Sequence, residues 1–434
     1  AEIKIATDGC SNQPLNAEAD WVAIQAALLD ARSNGHGWVV IPDSTGDYIV
    51  DRSVAIFSNT ILEWTGARFI RMNEPSERGV GAVLSNLFPY DSDSRYLYND
   101  EVCFVRILNP RIDAGGANGV PGENGIAFAN GAQDIKIVGG EIRNARLGTD
   151  SDISIFLSQN PAFDCSAATL FSKRCPNKQG GKGVQAEAGV KDVLAKSLLV
   201  TKSTVGFSAS AGHGAITSLG LNLYRANGVR NIAWNVRYES IRASYVDIPV
   251  LFSNIYVAEG GTAYLAEASQ ATKFELVGLT ATESGWMSTP NLGARAAIVG
   301  TFGAYNLTVD NVVVTNATKK IGAIFRGFAY NVAVTNVQVN ANTSTLFSFE
   351  GSLLGANYSN SKSQFWDVHS FSQKKSTDYA VGGSQLKNFY FSLNLANVAV
   401  SVASPSIQIL LNSATASQGY LGGALNREVI LVGP

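Results

Sequence analysis

Along most of the chain, apolar and polar residues alternate in short runs, and one phrase recurs. It reads Gly131-Ala-Gln-Asp-Ile-Lys-Ile-Val, Gly189-Val-Lys-Asp-Val-Leu-Ala, Gly228-Val-Arg-Asn-Ile-Ala-Trp, Gly303-Ala-Tyr-Asn-Leu-Thr-Val and Phe328-Ala-Tyr-Asn-Val-Ala-Val. Each copy is a turn, then Asp or Asn (positions 134, 192, 231, 306 and 331), then a strand of period two. The last two copies are 25 residues apart, the length of one coil, and the longer intervals hold a coil with a loop or two coils. A repeat that cannot bury its apolar side alone must stack on its neighbours. Short strands such as Gly125-Ile-Ala-Phe and Gly183-Val-Gln-Ala precede most copies. The pattern predicts a stacked strand ladder, whose flat outer faces suit an extended polymer better than a small metabolite.

One segment breaks the period-two rule. Residues 17–34 carry Asp20, Ile24, Ala27 and Leu28 at helical spacing, and Asn34-Gly35 ends the helix. Strand signals bounded by turn residues follow at Gly37-Trp-Val-Val-Ile-Pro, Gly46-Asp-Tyr-Ile-Val, Thr60-Ile-Leu-Glu-Trp and Gly66-Ala-Arg-Phe-Ile. A helix there would cover the open edge of the first rung, which otherwise invites aggregation.

Composition agrees: 42 Gly and only 16% charged residues describe strands and tight turns. A net charge of −2 without a Lys/Arg run removes the footprint of a nucleic-acid binder. No apolar run approaches the roughly 18 residues of a membrane span. The chain starts at Ala1 rather than Met, as a processed or truncated form would. The three His are scattered and no CxxC occurs, so no zinc site is expected. Cys165 and Cys175 share one polar loop, where a local disulfide would suit an oxidising compartment, with two free thiols as the alternative. Cys10 with Cys103 is a weaker pairing.

The opening segment, Asp20-Trp-Val-Ala-Ile-Gln-Ala-Ala-Leu followed by Gly37-Trp-Val-Val-Ile-Pro and Gly46-Asp-Tyr-Ile-Val, resembles that of right-handed parallel β-helix proteins. These are the pectate-lyase-like polysaccharide lyases and hydrolases, including phage tailspikes and tailspike-like secreted bacterial exopolysaccharide hydrolases. Asp43-Ser-Thr-Gly departs from the usual Ala/Pro-Gly-x-Tyr approach. The resemblance covers about the first 70 residues by motif and about 120–340 by repeat style. It implies an all-β, right-handed parallel β-helix solenoid with an N-terminal capping helix and a C-terminal β-region. Residues 1–72 then form the cap and first rungs. Residues 73–360 form the β-helix with groove-walling insertions at 74–102 and 145–180, and residues 361–434 form a C-terminal β-region that supports trimerisation.

Candidate chemistry follows from aligning the repeats on Ile135, Val193, Ile232, Phe274, Leu307 and Val332. Glu187, Tyr224, Arg225, Glu267 and Arg326 then fall near one another on successive rungs. Glu187, flanked by small residues after the large insertion, is placed to protonate a glycosidic oxygen. Glu267 is its natural carboxylate partner, and Glu239, Asp247 and Glu283 are further carboxylates. Tyr224, Arg225, Trp286 and Arg326 are expected to hold the glycan, Trp286 by stacking on a sugar ring. For each acid the alternative is a solvated face or an ion pair with the next rung. Asp150 and Asp152 lie in the insertion, and Asn144 and Asn316 suit internal Asn stacks.

The expected function is an endo-acting glycoside hydrolase that depolymerises a bacterial exopolysaccharide or capsular polysaccharide, needs no cofactor, and acts as a secreted or extracellular homotrimer. Periplasmic and phage-particle locations are the alternatives. A lyase acting on a uronic-acid glycan would use a base such as Lys182, Tyr224 or Arg225, since no dense Asp cluster offers calcium. A non-catalytic glycan-binding β-helix is the third reading.

Overall fold

The computed structural model describes residues 17–51, 53–73, 82–89, 96–99, 102–116, 123–129, 131–146, 181–187, 190–210, 233–253, 255–257, 263–265, 273–283, 296–317, 321–341, 345–351, 390–400, 406–411, 418–422 and 429–432. Two compact units form, one comprising Ala1–Gln185 with Val193–Thr204, the other Ala186–Asp192 with Val205–Pro434. Each is a stack of three-sided coils, and each side of a coil pairs in parallel with the same side of the next.

In unit 1 the first side runs through Gly37–Ile41, Thr60–Trp64, Cys103–Leu108 and Gln133–Val138, all in parallel register. The second side runs through Tyr48–Val50, Ile70–Met72, Arg111–Asp113 and Glu141–Arg143 to Leu199, Val200 and Thr201. The third includes Val54–Ala55, Ala82–Ser85 and Asn124–Phe128. Strand, short corner, strand and return, with parallel neighbours throughout, is the right-handed parallel β-helix, because crossovers between parallel strands take that hand.

Alternation produces the interior. Thr60–Trp64 buries every second residue. Val39, Leu62, Ile107 and Ile137 stack as one inward column. Corners need a left-handed residue, and the repeated Asp/Asn supplies it. Asn59 (φ 57°) immediately precedes its first-side strand, and Asp134 (φ 52°), Asp192 (φ 57°) and Asn235 (φ 51°) are each the second residue of theirs. Short polar side chains tolerate that conformation better than others do.

The helix α1 (Ala17–Ser33) closes the end of unit 1 as the sequence suggests. Gln25 accepts from the Ala55 N–H at 2.8 Å and donates to the Ala55 carbonyl at 3.3 Å. Asp20 accepts from the Ile49 N–H at 2.8 Å, and the Trp21 indole donates to the Ser53 carbonyl at 2.9 Å. These side chains satisfy backbone groups that a further strand would otherwise pair.

In unit 2 the first side takes Val236–Glu239, 274–277, 307–310, 332–335 and 393–396 in continuous register. The third side takes 250–253, 299–302, 323–326 and 347–350. Its interior is aromatic. Phe207 and Tyr238 lie 5.2 Å apart between centroids, Tyr238 and Phe252 5.6 Å, and Phe252 and Phe274 4.8 Å. Tyr238 is fully buried and donates to the Ser208 carbonyl at 2.9 Å.

Three expectations change. Residues 74–102 are not wholly an irregular insertion: Ala82–Ser85 is a rung of the third side, and Leu87–Pro89 pairs antiparallel with Tyr96–Asn99. Tyr390–Val400 and Ser406–Leu411 pair in parallel with the strands Ile321–Ala341 and Thr345–Gly351, and Gln418–Gly422 and Val429–Val432 follow in turn. The described C-terminal strands therefore continue the stack instead of standing apart. The third repeat is anchored at Val236, not Ile232, because Val236 pairs with Phe274 and Asn235 takes the left-handed corner and bonds Asp192.

Candidate functional site

The three sides differ in what they expose. First and second sides alternate buried with open positions, whereas long stretches of the third are buried residue after residue. Ala82–Ser85 is buried at every residue, as are residues 181–186 and 203–209. Several of its polar residues are accommodated by hydrogen bonds, whereas the buried Ser208 Oγ has no partner. Asn86 donates to the Ala129 carbonyl at 2.8 Å and accepts from its N–H at 2.9 Å. Asn124 accepts from the Lys182 N–H at 3.0 Å and donates to Gln185 Oε1 at 3.0 Å. Lys182 is 3% exposed and Glu123 1%.

Glu187 is the last residue of the strand Lys182–Glu187, at the end of this buried run. Asp247 lies within the strand Trp234–Ser253, just before its third-side segment. Arg326 lies on the third side, opposite Phe302 and Glu350. A register irregularity separates Phe302 from Ala304 on the facing strand. Glu267, Tyr224, Arg225, Trp286, Asp150, Asp152, Cys10, Cys165 and Cys175 lie outside the described residues. Cys103 carries a free thiol.

Glu239 lies on the first side of unit 2. Arg237 Nε donates to Glu239 at 2.9 Å, and its Nη1 donates to Glu275 on the next coil at 3.3 Å. Lys273 reaches Glu275 at 3.2 Å. The hydrogen bond that Arg237 donates to Glu239 leads the causes that raise Arg237 above the ordinary guanidinium range. One guanidinium thus bridges two carboxylates on adjacent coils, and the ladder is a row of ion pairs. Asp310 stands two coils from Glu239 in the same row. Sequence reasoning missed Arg237, Glu275 and Asp310 as a set, because register alone joins residues so far apart in the chain. Glu283 takes a left-handed corner (φ 53°).

A second network sits on unit 1. Arg143 donates to Asp113 at 2.8 Å and lies 3.8 Å over the Phe69 ring, while Arg111 donates to Glu141 at 3.2 Å. Asn144 donates to Asp113 at 2.9 Å, so it ties a corner and is not part of an Asn stack. Among the described residues no three His, Cys, Asp or Glu side chains converge as a metal site, and no helix is long and apolar enough to cross a membrane.

The sequence matches no known family profile and no curated protein. Solved structures with similar backbones are parallel β-helices. The Streptococcus pneumoniae surface adhesin PfbA is 12% identical, with 98% of this chain and 91% of that chain covered and a TM-score of 0.48. A polygalacturonase from Erwinia carotovora is 12% identical, with coverage of 94% and 93% and a TM-score of 0.37. The tailspike protein of Escherichia coli bacteriophage HK620, solved with a hexasaccharide, is 12% identical, with coverage of 93% and 73% and a TM-score of 0.36. The class of protein is fixed by the register described above: a parallel β-helix with a helical cap.

Proposed function

We propose that the chain is an endo-acting glycoside hydrolase that cuts a bacterial exopolysaccharide or capsular polysaccharide, with Glu187 as the proton donor. The observation that carries this reading is the strand Lys182–Glu187, buried at residues 181–186 and ending on a carboxylic acid. A general acid for a glycosidic oxygen must still hold its proton at the working pH, and a water-poor setting favours that. Glu267 or Asp247 serves as the second carboxylate, and their separation from Glu187 sets inversion or retention. Tyr224, Arg225, Trp286 and Arg326 hold the glycan. Glu239, clamped by Arg237, takes a supporting role in this scheme. A secreted homotrimer completes the reading.

The test is a digest of a panel of purified bacterial exopolysaccharides, followed by reducing-end release, product size and ultraviolet absorbance. Hydrolysis gives new reducing ends, a rapid fall in chain length and no unsaturated product. Unsaturated ends would move the chemistry to elimination. Retention of intact polysaccharide without new ends would leave a binding protein.

A further inference from the structure

An outward row on the first side of unit 1 runs through Trp38, Ile61, Arg106 and Lys136 on consecutive coils. Trp38 is 58% exposed. Its ring is nevertheless fixed in place, because the indole N–H donates to Glu63 Oε2 at 2.9 Å. Two coils further along, Phe104 occupies the left-handed corner (φ 56°) that Asn59 and Asp134 hold on neighbouring coils. A bulky residue with positive φ is a genuine outlier, because it lacks the short polar side chain with which Asn or Asp accommodates that conformation. Phe104 is also 44% exposed, so burial does not repay the strain.

The surroundings hold the ring open. The Arg106 guanidinium lies 4.1 Å from the Phe104 centroid, covering one face. Arg106 is itself held by both oxygens of Asp134, each at 2.9 Å. Backbone strain that persists under a solvent-facing side chain clusters at ligand clamps.

We infer that Trp38 and Phe104 are the stacking platforms of a glycan-binding face on unit 1, separate from the residues proposed for cleavage. This inference rests on the polysaccharide reading above. Two aromatic planes stand two coils apart, about 10 Å at the usual strand spacing. Between and beside them lie the acceptors of Glu63 and Asp134 and the donors of Arg106 and Lys136. Sugar rings present apolar C–H faces to such planes and hydroxyls, which need both donors and acceptors, to such a rim. A single-stranded nucleic acid also stacks, but it requires a positively charged track. Here Asp134 neutralises Arg106 and Glu63 adds negative charge beside Trp38.

Affinity electrophoresis of the full chain tests this, in native gels containing each polysaccharide of the digest panel, with dextran, polygalacturonate and alginate alongside. Wild type should be retarded by the polysaccharide it cuts. Trp38→Ala and Phe104→Asn should each bind at least tenfold more weakly. Phe104→Asn should also unfold at the same or a higher Tm, since Asn relaxes the corner. Unchanged retardation of Trp38→Ala would overturn the platform, and a lower Tm for Phe104→Asn would contradict the strain. Cleavage by wild type without retardation sensitive to these residues would sink this inference alone. Trp38-dependent retardation without cleavage of any polysaccharide would sink the hydrolase reading alone.

Discussion

The same corner is filled in opposite ways in the two units. In unit 2, Asn235 adopts the left-handed conformation at the start of its strand and its side chain bonds Asp192. In unit 1, Phe104 is forced into that conformation and points a half-exposed ring over Arg106. The outer rows differ too: unit 2 lays down a closed ion-pair ladder through Lys273, Glu275, Arg237 and Glu239, and unit 1 leaves an indole and a phenyl ring accessible. Inside, the contrast reverses. Unit 2 stacks Phe207, Tyr238, Phe252 and Phe274, whereas the first-side column of unit 1 is Val39, Leu62, Ile107 and Ile137. A coil fixes backbone geometry and register, and leaves the side chains of each row free to serve packing in one unit and contact with a ligand in the other.

Removing the centre of the aromatic interior should have the largest effect. Tyr238→Ala should cost about 3–5 kcal/mol in denaturant unfolding. Tyr238→Phe, which keeps the ring but loses the bond to the Ser208 carbonyl, should cost about 1 kcal/mol. Equal losses in the two variants would mean that the hydroxyl, and not the stack, dominates.

The cap of unit 1 comes next. Gln25→Ala leaves the Ala55 N–H and carbonyl without their side-chain partner in a buried setting and should cost about 1–3 kcal/mol. A Tm unchanged from wild type would show that the helix does not close the end.

The reciprocal exchange at the corners sharpens the comparison itself. Asn235→Phe should destabilise by about 1–2 kcal/mol, while Phe104→Asn should stabilise by a comparable amount. Changes of the same sign would mean that the two corners are not equivalent.

Asp20 gives the smallest expected effect. Burial, the leading cause, raises its carboxyl above the ordinary value of 3.8, and the bond from the Ile49 N–H partly opposes this. The folded chain therefore holds that proton more tightly than the unfolded chain. This contribution to stability is complete below the ordinary carboxylate range and is lost as pH rises through the folded value. Asp20→Asn keeps an acceptor for Ile49 and carries no charge to desolvate. It should be slightly more stable than wild type at neutral pH, with the difference vanishing in acid; thermal unfolding across pH would check this.

Much of the architecture could be read from the residues. Residues 17–34 announced a helix and Ala17–Ser33 is one. The Asp or Asn before each strand marked corners because few other residues accept a left-handed backbone. The third repeat misled because Asn231-Ile-Ala-Trp and Asn235-Val-Arg-Tyr are both Asn-led apolar phrases, and only the pairing of Val236 with Phe274 separates them. Phe104 was invisible for the converse reason: Val102-Cys-Phe-Val-Arg contains no corner residue. The C-terminal strands were set apart because the repeat style reaches only to about residue 340, yet backbone pairing continues where the phrase does not. Of the candidate site, strand alternation placed Glu187 on a strand next to buried residues. The clamp on Glu239 was illegible, since the Glu275 that completes it lies on another coil.

The most direct test of the proposed hydrolysis compares wild type, Glu187→Gln and Glu239→Gln on the polysaccharide that wild type cuts, measuring initial rates of reducing-end release. If Glu187 donates the proton, Glu187→Gln should lose about 100-fold or more of the rate. Glu239→Gln should keep most of it, and both variants should unfold as wild type does. Full activity in a folded Glu187→Gln would contradict the account and leave the proton donor to be sought elsewhere.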